Sequence, residues 1–195
     1  GPSEILIIAD ETANPKYIAA DMMSQAEHDV LARSILLTTS EKLITETEGE
    51  IERQVANLSR KDIILKSLAD YGAAILVKNL DEAFEISNDI APEHLEVLAE
   101  NPISYLPKIV NAGSIFLGPH TPEPLGDYMS GPNHVLPTGG TAKFYSQLGV
   151  YDFVKRSSYS FYTEEALSEL KDDVITFAET EGLDAHANAI KVRFE

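Results

Sequence analysis

The sequence predicts an α/β fold: an incomplete Rossmann-like, mainly parallel sheet covered by helices on both faces, plus a small helical C-terminal extension. Short β-branched runs alternate with helical stretches over the first 117 residues. These runs are apolar throughout rather than alternating, which is typical of parallel strands buried on both faces. At 195 residues and 44% hydrophobic, the chain can bury a substantial core. We expect an α/β domain over 1–140 and a helical tail over 141–195.

The elements follow in order. Strands are predicted at 4–9, 34–39, 73–77 and 114–117. The first helix begins at Pro15 after Asn14, because proline suits the first helical turn. Further helices are predicted at 40–58, 60–71, 80–90 and 164–180. Residues 186–193 form a last helix or strand.

Residues 111–140 differ from the rest of the chain. They hold 6 of the 11 glycines and 5 of the 10 prolines, and residues 111–150 carry only three charged side chains: Glu123, Asp127 and Lys143. A long loop of this composition is uncommon unless it is functional. The alternatives are an irregular buried connection or a domain boundary.

Aromatic side chains crowd residues 144–162. This pattern predicts a buried or subunit-facing patch rather than a surface that stacks bases, because basic partners are missing. The seven residues are Phe144, Tyr145, Tyr151, Phe153, Tyr159, Phe161 and Tyr162.

The charge and the lack of cysteine limit the function classes. A net charge of −17 argues against nucleic acid and anionic membrane surfaces as partners, and favours cations. With no cysteine, thiolate metal sites and disulfides are excluded, and we expect a cytoplasmic protein. No signal peptide or membrane-length apolar run is evident.

Several polar residues are candidates for chemistry. Gln25 and His28 share one helical face near the end of the first helix, where helix and strand ends converge, although His28 could simply stabilise the helix dipole. Glu93 and His94 follow Pro92, which ends a helix, so we expect the pair on a rigid loop as two bases of different pKa. Asp127 is an acid in an apolar segment, with a turn-forming role as the alternative.

His28, Asp127 and His186 could together supply zinc ligands, but their sequence spacing does not require it. His134 is a weaker candidate, and we expect His120 on the surface. No P-loop, H-E-x-x-H, G-x-S-x-G or G-x-G-x-x-G motif occurs.

Eight motifs in one order resemble the histidinol dehydrogenase family, and they run from one end of the chain to the other. They are GPSE (1–4), SQAEH (24–28), APEHL (91–95), NAGSIFLG (111–118), PEPLGDY (122–128), GPNHVLPT (131–138), VYDFVKR (150–156) and EGLDAHA (181–187). The resemblance implies two successive NAD-linked oxidations of L-histidinol to L-histidine, the last step of histidine biosynthesis, with one zinc per site.

The resemblance also implies residue roles. It gives Gln25, His28, Asp127 and His186 as zinc ligands that also line the substrate pocket. Glu93 and His94 match the acid–base pair: His94 is the base for alcohol oxidation and Glu93 activates water. Ser3, His94 and Glu181 match substrate contacts.

The resemblance further implies a homodimer in which the C-terminal tail is exchanged, so that Glu181 and His186 act in the partner's site. Family members carry an N-terminal portion before the GPSE motif that holds most NAD contacts, so we expect this chain to lack full activity. The alternative is an inactive metal-binding and dimerisation module of the same family. A metallohydrolase that uses Glu93 and a zinc-bound water is a third possibility, which leaves the eight motifs unexplained.

Overall fold

The computed structural model describes residues 1–195, which divide into two compact units, 1–153 and 154–195. The first unit is an α/β sheet structure and the second is a pair of helices. The strands are β1 (Glu4–Ala9), β2 (Arg33–Thr38), β3 (Gly72–Leu76), β4 (His94–Leu98) and β5 (Ser114–Leu117). The helices are α1 (Pro15–Ala26), α2 (Glu41–Val55), α3 (Lys61–Tyr71), α4 (Leu80–Ile90), α5 (Glu123–Tyr128), α6 (Glu164–Thr180) and α7 (Asp184–Lys191). Short 3-10 turns occupy Pro102–Lys108, Thr141–Lys143 and Val150–Phe153.

The five strands form one sheet in the order β3-β2-β1-β4-β5, and every pairing is parallel. The predicted α/β class is therefore confirmed. In the register, Ile5 lies opposite His94, and His94 lies opposite Ser114. The amino ends of the three strands β1, β4 and β5 consequently lie side by side.

Helices cover both faces of the sheet, as the apolar strands predict. On the face that we call the α1 face, alternate strand residues pack with α1 and α2: Ile5, Ile7, Ala9, Leu36 and Leu98 against Ile18, Met22 and Leu43. On the opposite face, strand residues pack with α4: Leu6, Ile8, Leu37, Leu95 and Val97 against Ala83 and Phe84. Each fully buried Leu or Ile stabilises the fold by roughly 1.5–3 kcal/mol.

Capping side chains explain where several helices begin. Asn14 accepts a hydrogen bond from the Lys16 N–H at the start of α1. Ser40 and Asn79 do the same for α2 and α4, through the N–H groups of Leu43 and Glu82. A polar cap of this kind contributes about 1 kcal/mol to helix stability. The predicted starts of these helices agree with the structure to within one residue.

The structure corrects the loop expected at Glu93 and His94. Glu93 immediately precedes β4, and His94 is its first residue. The strand was missed because His94, Leu95, Glu96 and Val97 alternate polar and apolar side chains, unlike the apolar pattern of the other strands. As predicted, α4 ends before Pro92. Its C-terminal cap is Ala91, which adopts a left-handed conformation with φ of 53°.

One further element differs from expectation. Part of the Gly/Pro-rich segment forms the short helix α5, in which Gly126 lies against the Phe116 ring: a Cβ there would lie 2.6 Å from two ring carbons. For the last residues, where the sequence left a helix or a strand open, the structure has the helix α7. The side chains of the aromatic segment, 144–162, are exposed in this chain rather than buried, and their role as a subunit-facing patch stays a prediction.

The second unit is a helical hairpin. Gly182, with φ of 74°, turns the chain between α6 and α7, and the Leu183 N–H donates to the Ala178 carbonyl oxygen. Lys191 Nζ pairs with Glu179 Oε1 at 2.6 Å. None of the helices in the chain combines the length and the apolar composition that crossing a membrane requires.

Candidate active site

The candidate residues of the first unit collect at the amino ends of the central strands. Ser3 precedes β1, Glu93 precedes β4, and His94 begins β4. Because α1 ends at Ala26 and β2 begins at Arg33, the end of α1 also lies at this edge. Open α/β sheets usually bind ligands at the carboxyl ends of their strands, so this position is unusual.

The Glu4 backbone holds both members of the acid–base pair. Its N–H donates to Glu93 Oε2 at 3.0 Å. Its carbonyl oxygen lies 2.9 Å from His94 Nδ1. Because a carbonyl oxygen only accepts, Nδ1 must carry the hydrogen in this bond, which leaves Nε2 without one when the ring is neutral. The two backbone groups of one residue, Glu4, therefore orient the carboxylate and fix the tautomer of the imidazole.

Burial changes the acidity of both groups in the direction that acid–base chemistry needs. Desolvation raises the pKa of Glu93 to about 7, against the opposing hydrogen bond from Glu4. Desolvation also lowers the pKa of His94, whose side chain is only 5% exposed. Glu93 thus titrates near neutral pH, and His94 is a neutral base there.

The helix α5 brings two carboxylates to His94. Glu123 Oε1 lies 3.5 Å from His94 Nε2. One ligand atom from each of His94, Glu123 and Asp127 lies within 4.8 Å of the others, which is the geometry of a group that can hold a metal ion. Burial, together with the Asp127 charge, raises the pKa of Glu123 to about 8.

Gln25 lies in the last turn of α1, and His28 lies two residues beyond the end of the helix rather than on the same helical face. Gln25 is 1% exposed, and its Oε1 has no hydrogen-bond partner. Buried amide oxygens are seldom left unpaired, so this atom is available to a cation. His28 is exposed, and its charge lowers the pKa of His94, whereas the Asp127 charge raises it. His28 and Asp127 therefore both lie within electrostatic range of His94.

Apart from Ser3, the remaining predicted residues are exposed. Ser3 is half-buried, and its carbonyl oxygen accepts from the Arg33 N–H. Glu181 follows α6 and His186 lies on α7, and both are exposed. His120 and His134 are exposed in the first unit.

Sequence reasoning missed four acids of this site: Glu4, Asp21, Glu96 and Glu123. The sequence did offer a signal for Glu123, because it is the other acid, besides Asp127, in the charge-poor segment. Glu96 was missed together with its strand, because the polar and apolar residues of β4 alternate. Nothing local marked Glu4, which acts mainly through its backbone.

The chain has relatives of known name. The sequence model of the histidinol dehydrogenase family matches residues 1–194. The histidinol dehydrogenase of Lactococcus lactis subsp. lactis is 66% identical over all 195 residues, and that of Clostridium acetobutylicum is 64% identical over the same length. In each case the chain spans 45% of the relative's length.

A solved structure agrees with the sequence comparison. The crystal structure of histidinol dehydrogenase from Elizabethkingia anophelis superposes with a TM-score of 0.92 at 41% identity, and covers 100% of this chain and 45% of its own. The fold, the eight motifs and the matches over the whole sequence lead to one conclusion. The chain belongs to the histidinol dehydrogenase family.

Proposed function

We propose that the chain supplies the acid–base residues and most of the zinc ligands of an enzyme that oxidises L-histidinol to L-histidine in two NAD-linked steps. The observation that supports this most strongly is the arrangement of His94, whose Nε2 is free and lies 3.5 Å from a carboxylate oxygen on α5. His94 and Asp127, which the family resemblance gives as base and ligand, both belong to the group of side chains that could hold a metal ion.

His94 acts first, as the base for the alcohol. Its Nδ1–H is bound to the Glu4 carbonyl oxygen, so Nε2 accepts the hydroxyl proton of the substrate. NAD supplies the hydride acceptor in both oxidations. Loss of the proton and of the hydride converts the alcohol to the aldehyde.

Glu93 acts in the second half of the reaction. With its pKa raised to about 7 by burial, it can take a proton from water near neutral pH. That water adds to the aldehyde carbon, and the resulting hydrate loses a second hydride, which gives the carboxylic acid. The Glu4 N–H keeps the Glu93 carboxylate in place throughout.

We propose Gln25, His28, Asp127 and His186 as the zinc ligands. The residues of the first unit fit a cation: Gln25 Oε1 is buried without a partner, and Asp127 offers an oxygen beside His94. Nitrogen and oxygen ligands of these kinds suit zinc. When bound, zinc would hold the imidazole and amine of the substrate and so orient its alcohol. Ser3 and Glu181 contact the substrate in this proposal.

We also propose that the enzyme is a homodimer in which residues 141–195 are exchanged, so that Glu181 and His186 serve the partner's site. Support comes from the outer face of α6, where Leu170, Val174 and Phe177 are exposed at helical spacing. Exposed apolar stripes of this kind are typical of surfaces that pack against another helix.

The test of the function is NADH formation from L-histidinol. Because the chain spans 45% of its relatives, the assay uses a polypeptide of the relatives' full length alongside the 195-residue chain. We expect His94→Ala to lower the rate of the long protein by about 10²–10⁴-fold, because the base is lost. His120→Ala is the matched control, since His120 is exposed and has no role here. A long protein without NADH formation would overturn the proposal, and a His94→Ala rate close to the control would reassign the base.

Zinc binding separates the enzyme from an inactive metal-binding module. Calorimetric titration with zinc chloride should give one zinc per site, and His28→Ala should lose it while its circular dichroism spectrum stays unchanged. Zinc binding without any NADH formation would favour the module. The absence of zinc binding in the long protein would contradict the ligand assignment.

A further inference from the structure

Glu96 is a charged residue in the middle of the buried strand β4. It follows His94 by two positions, so both side chains lie on the α1 face of the sheet. Its side chain is 1% exposed. A carboxyl group is unfavourable in a buried position unless hydrogen bonds satisfy it, so an acid at this position needs a specific reason.

One carboxylate oxygen of Glu96 holds the start of α5. Glu96 Oε1 accepts the Glu123 N–H at 2.8 Å. Glu123 is the first residue of α5, and the preceding Pro122 provides no side-chain cap. The first N–H groups of a helix have no partner within it. Glu96 therefore acts as a cap for α5 from a different element.

The other side of Glu96 faces α1. Burial, together with the nearby charge and the side-chain hydrogen bond of Asp21 on α1, raises the pKa of the Glu96 carboxyl group. Asp21 lies one helical turn before Gln25. Glu96 thus lies between the two helices that carry the expected metal ligands Gln25 and Asp127. It is on the same face of β4 as His94.

We propose that Glu96 is a positioning residue, which fixes α5 so that Glu123 and Asp127 meet His94. The inference rests on the proposed function for the identity of the metal, whereas its geometric basis is independent of it. A leucine at this position would suit the strand but would leave the Glu123 N–H buried without an acceptor. A glutamine would keep the acceptor oxygen and the length of the side chain.

The first test measures zinc binding. Zinc chloride is titrated into the protein of the relatives' full length and into its Glu96→Gln, Glu96→Leu and Glu85→Leu variants. Loss of a residue that orients a metal ligand typically weakens metal binding about 10–100-fold. We expect that loss in Glu96→Leu, and an affinity within about threefold of the parent in Glu96→Gln. Glu85→Leu, an exposed change on α4, controls for the lost charge and should leave the affinity unchanged.

The second test needs no metal. Amide hydrogen exchange should show the Glu123 N–H protected at least about tenfold over its random-coil rate in the 195-residue chain and in Glu96→Gln, and unprotected in Glu96→Leu. If Glu96→Leu does not fold, the parent still decides: a Glu123 amide that exchanges at the random-coil rate overturns the proposal. Equal zinc affinity and equal Glu123 protection in Glu96→Leu and the parent would also overturn it.

The two proposals fail in different ways. If the parent binds no zinc but the Glu123 amide is protected in the parent and unprotected in Glu96→Leu, the result contradicts the proposed metal and supports the positioning role. A parent that binds zinc as tightly as a folded Glu96→Leu variant contradicts the positioning role and leaves the metal in place.

Discussion

The backbone N–H and carbonyl groups of Glu4 are the contacts that orient the proposed acid–base pair. The N–H donates to Glu93 and the carbonyl oxygen accepts from His94, so two side chains adjacent in sequence are oriented by one residue of the neighbouring strand β1. The sequence motif predicted the pair, and the resemblance predicted its roles. Neither the motif nor the resemblance predicted the role of Glu4, because a backbone contact between parallel strands requires no particular residue type.

The substitution Glu93→Gln tests the role of this carboxylate. The amide oxygen can still accept the Glu4 N–H, so the local structure should persist, but the base with a pKa of about 7 is gone. We expect oxidation of the aldehyde substrate to fall by about 10²–10⁴-fold and oxidation of the alcohol to the aldehyde to fall much less. NADH formation from each substrate measures the two steps.

The control for this experiment is Glu100→Gln, an exposed substitution just after β4 that should change neither step. Equal losses on the alcohol and the aldehyde in Glu93→Gln would show that Glu93 does not act specifically on water.

At the scale of elements, the sequence predicted four of the five strands and the start of α1 because their patterns are local. The missed strand β4 carries two polar residues, His94 at its start and Glu96 in its middle, so it lacks the continuous apolar run by which the other strands were predicted. The helix α5 was missed because Pro122, Pro124 and Gly126 are poor helix formers. Packing of Gly126 against Phe116 and the hydrogen bond to Glu96 stabilise it instead.

The loop before β5 packs closely against the backbone of Glu93, and this close approach requires a residue without a side chain at Gly113. A Cβ on Gly113 would lie 2.6 Å from the Glu93 carbonyl oxygen and 3.2 Å from Pro137 Cδ. We therefore expect Gly113→Ala to lower the free energy of unfolding by about 1–3 kcal/mol, because backbone must move. Urea unfolding of the 195-residue chain measures the change.

Gly49→Ala is the matched substitution. Gly49 lies within α2, and nothing lies within 4 Å of its Cβ position. This change should raise the free energy of unfolding by about 0.5–1 kcal/mol, because alanine is the better helix former. If Gly113→Ala were as stable as Gly49→Ala, the close packing around Glu93 would be refuted.

Over the whole molecule, the ligands predicted for one site come from distant parts of the sequence. No local spacing relates Gln25 and His28 to Asp127 or His186. Residue type alone made His28, Asp127 and His186 candidates, and the family resemblance added Gln25 to them. The structure brings Asp127 and His28 into the range of His94, because α1 and α5 lie on the same face of the sheet. The roles of the polar groups between these two helices, such as Glu96, depend on tertiary contacts and therefore could not be predicted from the sequence.

The buried acids predict how stability depends on pH when no metal is bound. Burial raises the pKa of Glu93 to about 7 and that of Glu123 to about 8, above their values in the unfolded chain. The folded state therefore holds protons that the unfolded state releases, and stability falls as pH rises toward these values. Between about pH 6.5 and pH 8 we expect a loss of roughly 2 kcal/mol.

Urea unfolding with a chelator present, at these two pH values, measures that loss. Above about pH 6.5 the opposite effect of the buried His94 is small, because an unfolded histidine is then mostly neutral. The loss should shrink in Glu93→Gln, which removes one of the titrating groups. Stability that is constant or rises over this range would contradict the burial of these acids.

We propose that Gln25, His28 and Asp127 hold one metal ion beside Glu93 and His94. Anomalous diffraction at the zinc absorption edge, on crystals of the full-length protein grown with zinc, tests it directly. We predict one peak at about 2.0–2.3 Å from Gln25 Oε1, a His28 ring nitrogen and an Asp127 oxygen. A peak bound by His94, Glu123 and Asp127 without Gln25 and His28, or no peak in this crevice, would contradict the account.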